Sequence, residues 1–120
     1  MAKVLIVDDS PTEIHAFSKM LERHGHVVLA AKTAEEGLSS ALAEKPDLIL
    51  MDIVMPGMNG FQATRQLQEH PQTRGIPVVI ISTKDQQTDQ IWGKRQGARD
   101  YLIKPFSEKT LIDTVKAILG

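Results

Sequence analysis

The chain has 120 residues, a net charge of −1 and no cysteine. That length suits one domain over 1–120 with a single core, and the near-zero charge draws the molecule neither to nucleic acid nor to an anionic membrane. Without cysteine there is no disulfide framework and no thiolate metal site. No apolar run is long enough to span a bilayer, and Asp8, Asp9 and Glu13 near the start argue against a secretory signal, so a cytoplasmic protein is expected.

Val4-Leu5-Ile6-Val7 predicts a strand buried on both faces that ends at Asp8 and Asp9. Ser10-Pro11-Thr12-Glu13 then predicts a helix start, with Ser10 as cap, Pro11 in the first turn and Glu13 reaching back to complete a capping box. Ile14, Phe17 and Leu21 form its core face, and Gly25 supplies a left-handed end. Val27-Val28-Leu29-Ala30 reads as a second strand. Thr33 to Glu36 repeats the capping-box pattern ahead of a helix with Leu38, Ala41 and Leu42 inward, stopped by Lys45-Pro46.

Leu48-Ile49-Leu50-Met51 is a third buried strand that delivers Asp52 to a Pro- and Gly-containing loop. A helix over 60–69 follows, with Phe61, Thr64 and Leu67 on one side, and Pro71 and Pro77 bracket the connection to the strand Val78-Val79-Ile80-Ile81-Ser82. The helix predicted over 85–96 has only Ile91 and Trp92 as large apolar residues, so it is expected to be loosely held. Gly97 closes it, Tyr101-Leu102-Ile103 makes a fifth strand, and Ser107 caps a last helix with Leu111, Val115 and Ile118 inward.

Strands apolar throughout, alternating with helices, predict an α/β fold: a (βα)5 doubly wound, five-stranded parallel sheet in the order 2-1-3-4-5 with helices on both faces. Such a sheet carries its site at the carboxyl ends of its strands. Those ends bear Asp8 and Asp9, then Asp52, then Ser82 and Thr83, then Lys104-Pro105. Crowded carboxylates repel unless a cation joins them, and an all-oxygen donor set favours Mg²⁺ or Mn²⁺. Cation, Lys104 ammonium and Ser82 hydroxyl together would bind a phosphoryl group, with one carboxylate placed to attack it. Each feature alone has a plainer reading: an Asp-Asp turn, a serine bonding local backbone, a surface lysine. Their coincidence at four of five strand ends is the argument.

With those residues in hand, the sequence resembles the response-regulator receiver domain of the CheY type. Asp8-Asp9-Ser10, Asp52 with Met55-Pro56-Gly57-Met58-Asn59-Gly60, Ser82 and Lys104-Pro105-Phe106 stand in the family's order and spacing. The stretch from Gly60 to Pro105 is most similar to receivers that control pilus-driven twitching or chemotaxis-like movement. The resemblance implies that Asp52 accepts a phosphoryl group from a histidine kinase or its phosphotransfer domain. It implies that Asp9, Asp52 and the backbone carbonyl of Val54 hold Mg²⁺, with Asp8 acting through water. Lys104 and Ser82 would bind the phosphoryl oxygens, the Lys104-Pro105 bond would be cis, and Tyr101 would turn inward behind Ser82. The face of the fourth helix, fifth strand and fifth helix, with Trp92 and Tyr101, would then be read by a protein effector.

Thr83 departs from the small residue usual after the switch hydroxyl, and Val54 and Lys84 border the path of attacking water, so an altered phosphoryl lifetime is expected. His15, His24, His26 and His70 lack metal-ligand spacing, and Trp92 reads equally as core filler or partner surface. A monomeric signalling protein with no output domain is the expectation, rather than an enzyme. Its rivals are a phosphate sink without effector, an unphosphorylated binding module, and a phosphohydrolase, which would want an Asp where Val54 stands.

Overall fold

The computed structural model describes all of residues 1–120. Its elements are β1 (Lys3–Val7), α1 (Pro11–Glu22), β2 (Val27–Ala31), α2 (Ala34–Glu44), β3 (Leu48–Asp52), α3 (Gly60–Glu69), β4 (Val78–Ser82), α4 (Gln87–Arg95), β5 (Asp100–Ile103) and α5 (Glu108–Leu119). The strands form one parallel sheet in the order β2-β1-β3-β4-β5. The (βα)5 doubly wound architecture read from the strand pattern is therefore the one observed.

Strand alternation sorts the core into two layers. Val4, Ile6, Leu48, Leu50, Val79 and Ile81 meet Phe17 and Leu21 of α1 and Leu111, Ile112 and Val115 of α5. Leu5, Val7, Ile49, Met51 and Val78 point the other way, onto Ala34 and Ala41 of α2 and Ala63 and Leu67 of α3. All residues of β3 and β4 are buried. This two-sided cover makes the centre of the sheet a rigid floor for whatever its carboxyl end carries.

The register decides what that end carries. Val7 pairs with Met51, so Asp8 and Asp52 come one residue later on adjacent strands. Asp52 pairs with Ile81, and Ser82 with Ile103, which brings Ser82 and Lys104 onto the same rim.

Three local expectations are corrected. Ser10 Oγ and Thr33 Oγ1 do accept from the Glu13 and Glu36 N–H groups, at 3.3 and 3.1 Å, but neither glutamate closes its box. Glu36 accepts instead from the Lys32 N–H, and Glu13 turns to Lys104, because an ammonium outcompetes a neutral amide for a carboxylate. The complete box lies at the start of α3, between Asn59 and Gln62. On α2 the buried face is Ala34, Gly37 and Ala41, while Leu42 lies on the rim. A Cβ at Gly37 would stand 2.7 Å from a Val7 methyl, so at that point the helix rides too close to β1 for a side chain, whereas Leu38 packs half-buried against the core layer as expected. α4 is shorter than the pattern suggested. It starts at Gln87 without a side-chain cap and buries only Gly93, as its weak apolar stripe foretold.

α3 begins hard against the end of β3. The Gly60 N–H donates to the Ile53 carbonyl at 2.9 Å, and a Cβ at Gly60 would lie 2.0 Å from the Asp52 carbonyl oxygen. Backbone cannot yield there as a flexible side chain could. Gly60→Ala is expected to cost about 2–4 kcal/mol in urea denaturation, and a loss below about 0.5 kcal/mol would contradict this packing.

Candidate functional site

β1 ends by placing Asp8, fully buried, below the exposed Asp9, and β3 ends in Asp52, which is 7% exposed. Carboxylate oxygens of Asp8, Asp9 and Asp52 lie within 4.8 Å of one another. The Asp8 carboxylate is aimed by the Ser10 N–H, which donates to Oδ1 at 2.9 Å. From the loop after β5, Lys104 reaches back across the sheet. Its Nζ lies 3.2 Å from Asp52 Oδ1, 3.4 Å from Asp8 Oδ2 and 2.5 Å from Glu13 Oε2.

Backbone and aromatic contacts hold Lys104 in this pose. Its N–H donates to the Ser82 carbonyl at 2.8 Å, and the peptide to Pro105 is cis. Beside it, the Phe17 and Phe106 rings stack 5.1 Å apart, with the Lys104 Nζ 6.0 Å from the Phe17 centroid. Ser82 is buried, and its hydroxyl accepts from the Lys84 N–H at 3.0 Å. The Tyr101 ring is buried with Ile80, Ala98 and Ile53, and its hydroxyl donates to the Lys84 carbonyl at 2.7 Å. Thr83 and Lys84 are exposed where the β4–α4 loop leaves the rim, and Val54 is 62% exposed on the β3–α3 loop.

The structure thus gathers Asp8, Asp9, Asp52, Ser82 and Lys104 at one end of the sheet, with Thr83, Val54 and Lys84 at its edge. Trp92 stands apart on α4, 49% exposed, which excludes it from the core. The histidines do not converge. The Nδ1 atoms of His26 and His70 accept from the Ala2 and Gln72 N–H groups, and His24 lies 3.1 Å from Glu108. One site residue escaped the sequence pattern: Glu13, which reads as a capping glutamate until the fold brings α1 against Lys104. Its position, at the amino end of the helix that follows a strand-end Asp pair, was the only available signal.

Burial chiefly pushes the Asp8 carboxyl up to about 7, helped by its hydrogen bond to Glu13 and the Asp52 charge, against the Ser10 N–H and Lys104. Burial also raises Asp52, against the pull of Lys104. For Lys104, burial opposes the charge, but Glu13, Asp52 and Asp8 outweigh it and hold the ammonium above its usual range. Burial opposes ionisation of Glu13 too, yet hydrogen bonds from Asp8 and Lys104 keep it below the ordinary carboxylate range. Of these two carboxyls, Asp8 is therefore the one that favours keeping its proton. A cluster of carboxylate oxygens with one member this reluctant to ionise fits a hard divalent cation such as Mg²⁺ or Mn²⁺, whose charge would replace that proton.

The stability consequence has a definite sign. A carboxyl whose folded pKa is raised favours the folded state at low pH and loses that advantage as pH climbs. In the metal-free protein, the Asp8 contribution falls between about pH 4 and pH 7. Asp8→Asn is expected to be more stable than the parent by about 1–3 kcal/mol at pH 8 in chelator, with the gap closing toward pH 4 in urea titrations. A gap that does not change with pH would contradict the assignment.

Comparison with known proteins agrees with this geometry. The response regulator receiver domain matches residues 4–116. Protein PilH of Pseudomonas aeruginosa is 61% identical over 120 residues, covering all of this chain and 99% of PilH. The alkaline phosphatase synthesis transcriptional regulatory protein PhoP of Bacillus subtilis is 38% identical over 117 residues, 98% of this chain, and the chain spans about half (48%) of that longer protein. Among solved structures, the Vibrio cholerae chemotaxis protein CheY4 superposes with a TM-score of 0.93 at 34% identity, covering 99% of each chain. The beryllofluoride-activated N-terminal receiver domain of Klebsiella pneumoniae RstA gives 0.90 at 27% identity, covering 98% of this chain and 97% of that one. Fold, strand-end chemistry and these likenesses have one conclusion: the chain belongs to the response regulator receiver domain family, with CheY-like topology and full-length similarity to PilH.

Proposed function

We propose that this receiver takes a phosphoryl group onto Asp52 from the phosphohistidine of a histidine kinase or phosphotransfer domain and so acts in two-component signalling. The observation that carries the proposal is the Asp52 carboxylate, at a strand end beside two further aspartates and 3.2 Å from the Lys104 ammonium. An Asp52 oxygen attacks phosphorus while the P–N bond breaks, its electron pair returns to the imidazole, and an acyl phosphate forms. Asp9, Asp52 and the Val54 carbonyl would hold Mg²⁺, with Asp8 acting through a water. When bound, the cation neutralises charge on the phosphoryl oxygens.

The chain's own groups do the rest. Lys104 already points its Nζ at Asp52 and needs only a small shift to pair with a phosphoryl oxygen. The Ser82 hydroxyl gives up the Lys84 N–H and donates to the phosphoryl group. Tyr101 is bonded to the carbonyl of that same Lys84, so a change at Ser82 reaches β5 through one residue. The α4–β5–α5 face then shifts between two states read by a protein effector. The exposure of Ile91 and Trp92 on α4 supports an effector surface over a mere phosphate sink. Similarity to PilH over 99% of its length supports a role in the twitching-motility branch of these pathways.

Incubation with Mg²⁺ and acetyl phosphate, followed by intact mass, is expected to show one phosphoryl adduct that Asp52→Asn lacks. Absence of the adduct with both acetyl phosphate and a phosphorylated kinase would sink the reading. The exposed Thr83 borders the same rim, where its branched side chain hinders access of water. Thr83→Ala is expected to raise phosphoryl turnover by roughly 2–5-fold, equivalent to ~0.4–1 kcal/mol of barrier, and an unchanged decay rate would reject that role.

A further inference from the structure

The feature that the receiver chemistry leaves unused is Glu13. Its carboxylate, on the first turn of α1, lies 2.5 Å from the Lys104 ammonium, closer than either Asp52 or Asp8. Its side chain is 36% exposed, whereas that of Lys104 is only 10% exposed. It also lines a groove of about 190 Å³ with Thr12, Ala16, Phe17, Pro105 and Phe106, next to the Lys104 end of the site. Glu13 thus stands, partly exposed, beside the Lys104 end of the phosphoryl site and adds negative charge near a cluster that already holds Asp8, Asp9 and Asp52.

We infer that Glu13 is a specificity-determining residue that sorts phosphodonors by charge, repelling anionic acyl phosphates and tolerating donors whose leaving group is a protonated nitrogen. The inference rests on Asp52 being the phosphoacceptor. With either donor the bond formed is Asp52 O–P. With acetyl phosphate the P–O bond breaks and its electron pair leaves on acetate. With a phosphoramidate the P–N bond breaks, and the pair leaves on a nitrogen that already carries its protons, giving neutral amine. Metal and Lys104 favour the more anionic donor, but equally in the parent and in a Glu13 variant, so the comparison of the two isolates the Glu13 charge. The carboxylate of Glu13 opposes that preference, because one donor brings and leaves behind more negative charge than the other.

Magnitude makes the effect measurable. Acetyl phosphate carries about one unit more negative charge than zwitterionic phosphoramidate. That unit, within roughly 6–8 Å of a partly screened carboxylate, alters the relative rates by about three- to tenfold. Glu13→Gln removes the charge yet keeps an amide oxygen to accept from Lys104.

The test compares phosphorylation rates with Mg²⁺-acetyl phosphate and Mg²⁺-phosphoramidate by intact mass, in the parent, Glu13→Gln and the charge-matched control Glu44→Gln, which lies at the far end of α2. The expected result is that Glu13→Gln favours acetyl phosphate by about three- to tenfold relative to phosphoramidate, that the control does not, and that the difference shrinks as salt is raised. An equal change with both donors makes Glu13 a mere positioner of Lys104 and overturns the inference while leaving the phosphoacceptor intact. No adduct from phosphoramidate in any of the three proteins overturns the inference, and phosphorylation by the kinase then decides separately whether Asp52 is the acceptor.

Discussion

One ammonium group organises the carboxyl end of this sheet. Lys104 Nζ faces oxygens of Asp8, Glu13 and Asp52, with every one of the three carboxylates within 3.4 Å. Without it, carboxylates that the strand register forces together would meet in a poorly solvated pocket with nothing to balance them. The order β2-β1-β3-β4-β5 creates that problem by seating β1 beside β3, and it supplies the remedy by carrying β5 to where its loop reaches back. The charge remains delicately matched even so, since Asp8 holds its proton up to about pH 7.

The two core layers make this arrangement possible. Leu50 and Ile81 face one layer while Met51 and Ile80 face away from it, and all four are fully buried. Strands so enclosed fix the position of Asp52 and Ser82 to within the tolerance of close packing. α2 presses so near to β1 that its contact face consists of alanine and glycine, while α4 touches the sheet through Gly93 alone among its buried residues. The fold is therefore tight on one flank of the site and slack on the other.

Much of this was legible in the chain. Runs such as Leu48-Ile49-Leu50-Met51 and Val78-Val79-Ile80-Ile81 could hardly be anything but strands buried on both faces, and strand ends name the site once the winding rule is applied. What escaped were distances between elements. Leu38 does pack, half-buried, against the core, but Leu42 looked like core because it is large, while the space beneath α2 is set by how near Val7 lies. Glu13 followed a cap pattern that competes locally for its carboxylate, and no local rule could weigh that against a lysine 91 residues further along the chain. The Asn59–Gln62 box was hidden for the converse reason, since Gly60 at the helix start masks a pattern that its neighbours complete.

The two loops that flank Asp52 are built with unequal compliance. After β3 the chain is stapled by the Gly60–Ile53 hydrogen bond, the Asn59–Gln62 pair and a backbone approach that admits no side chain. After β4 the loop hangs on Lys84, whose N–H and carbonyl are held by Ser82 and Tyr101. Strain introduced at Asp52 therefore meets an anvil on one side and a hinge on the other. The β3 side of the rim is thus fixed by close-packed backbone, while the β4 side, toward α4 and β5, is tied chiefly through the two hydrogen bonds of Lys84.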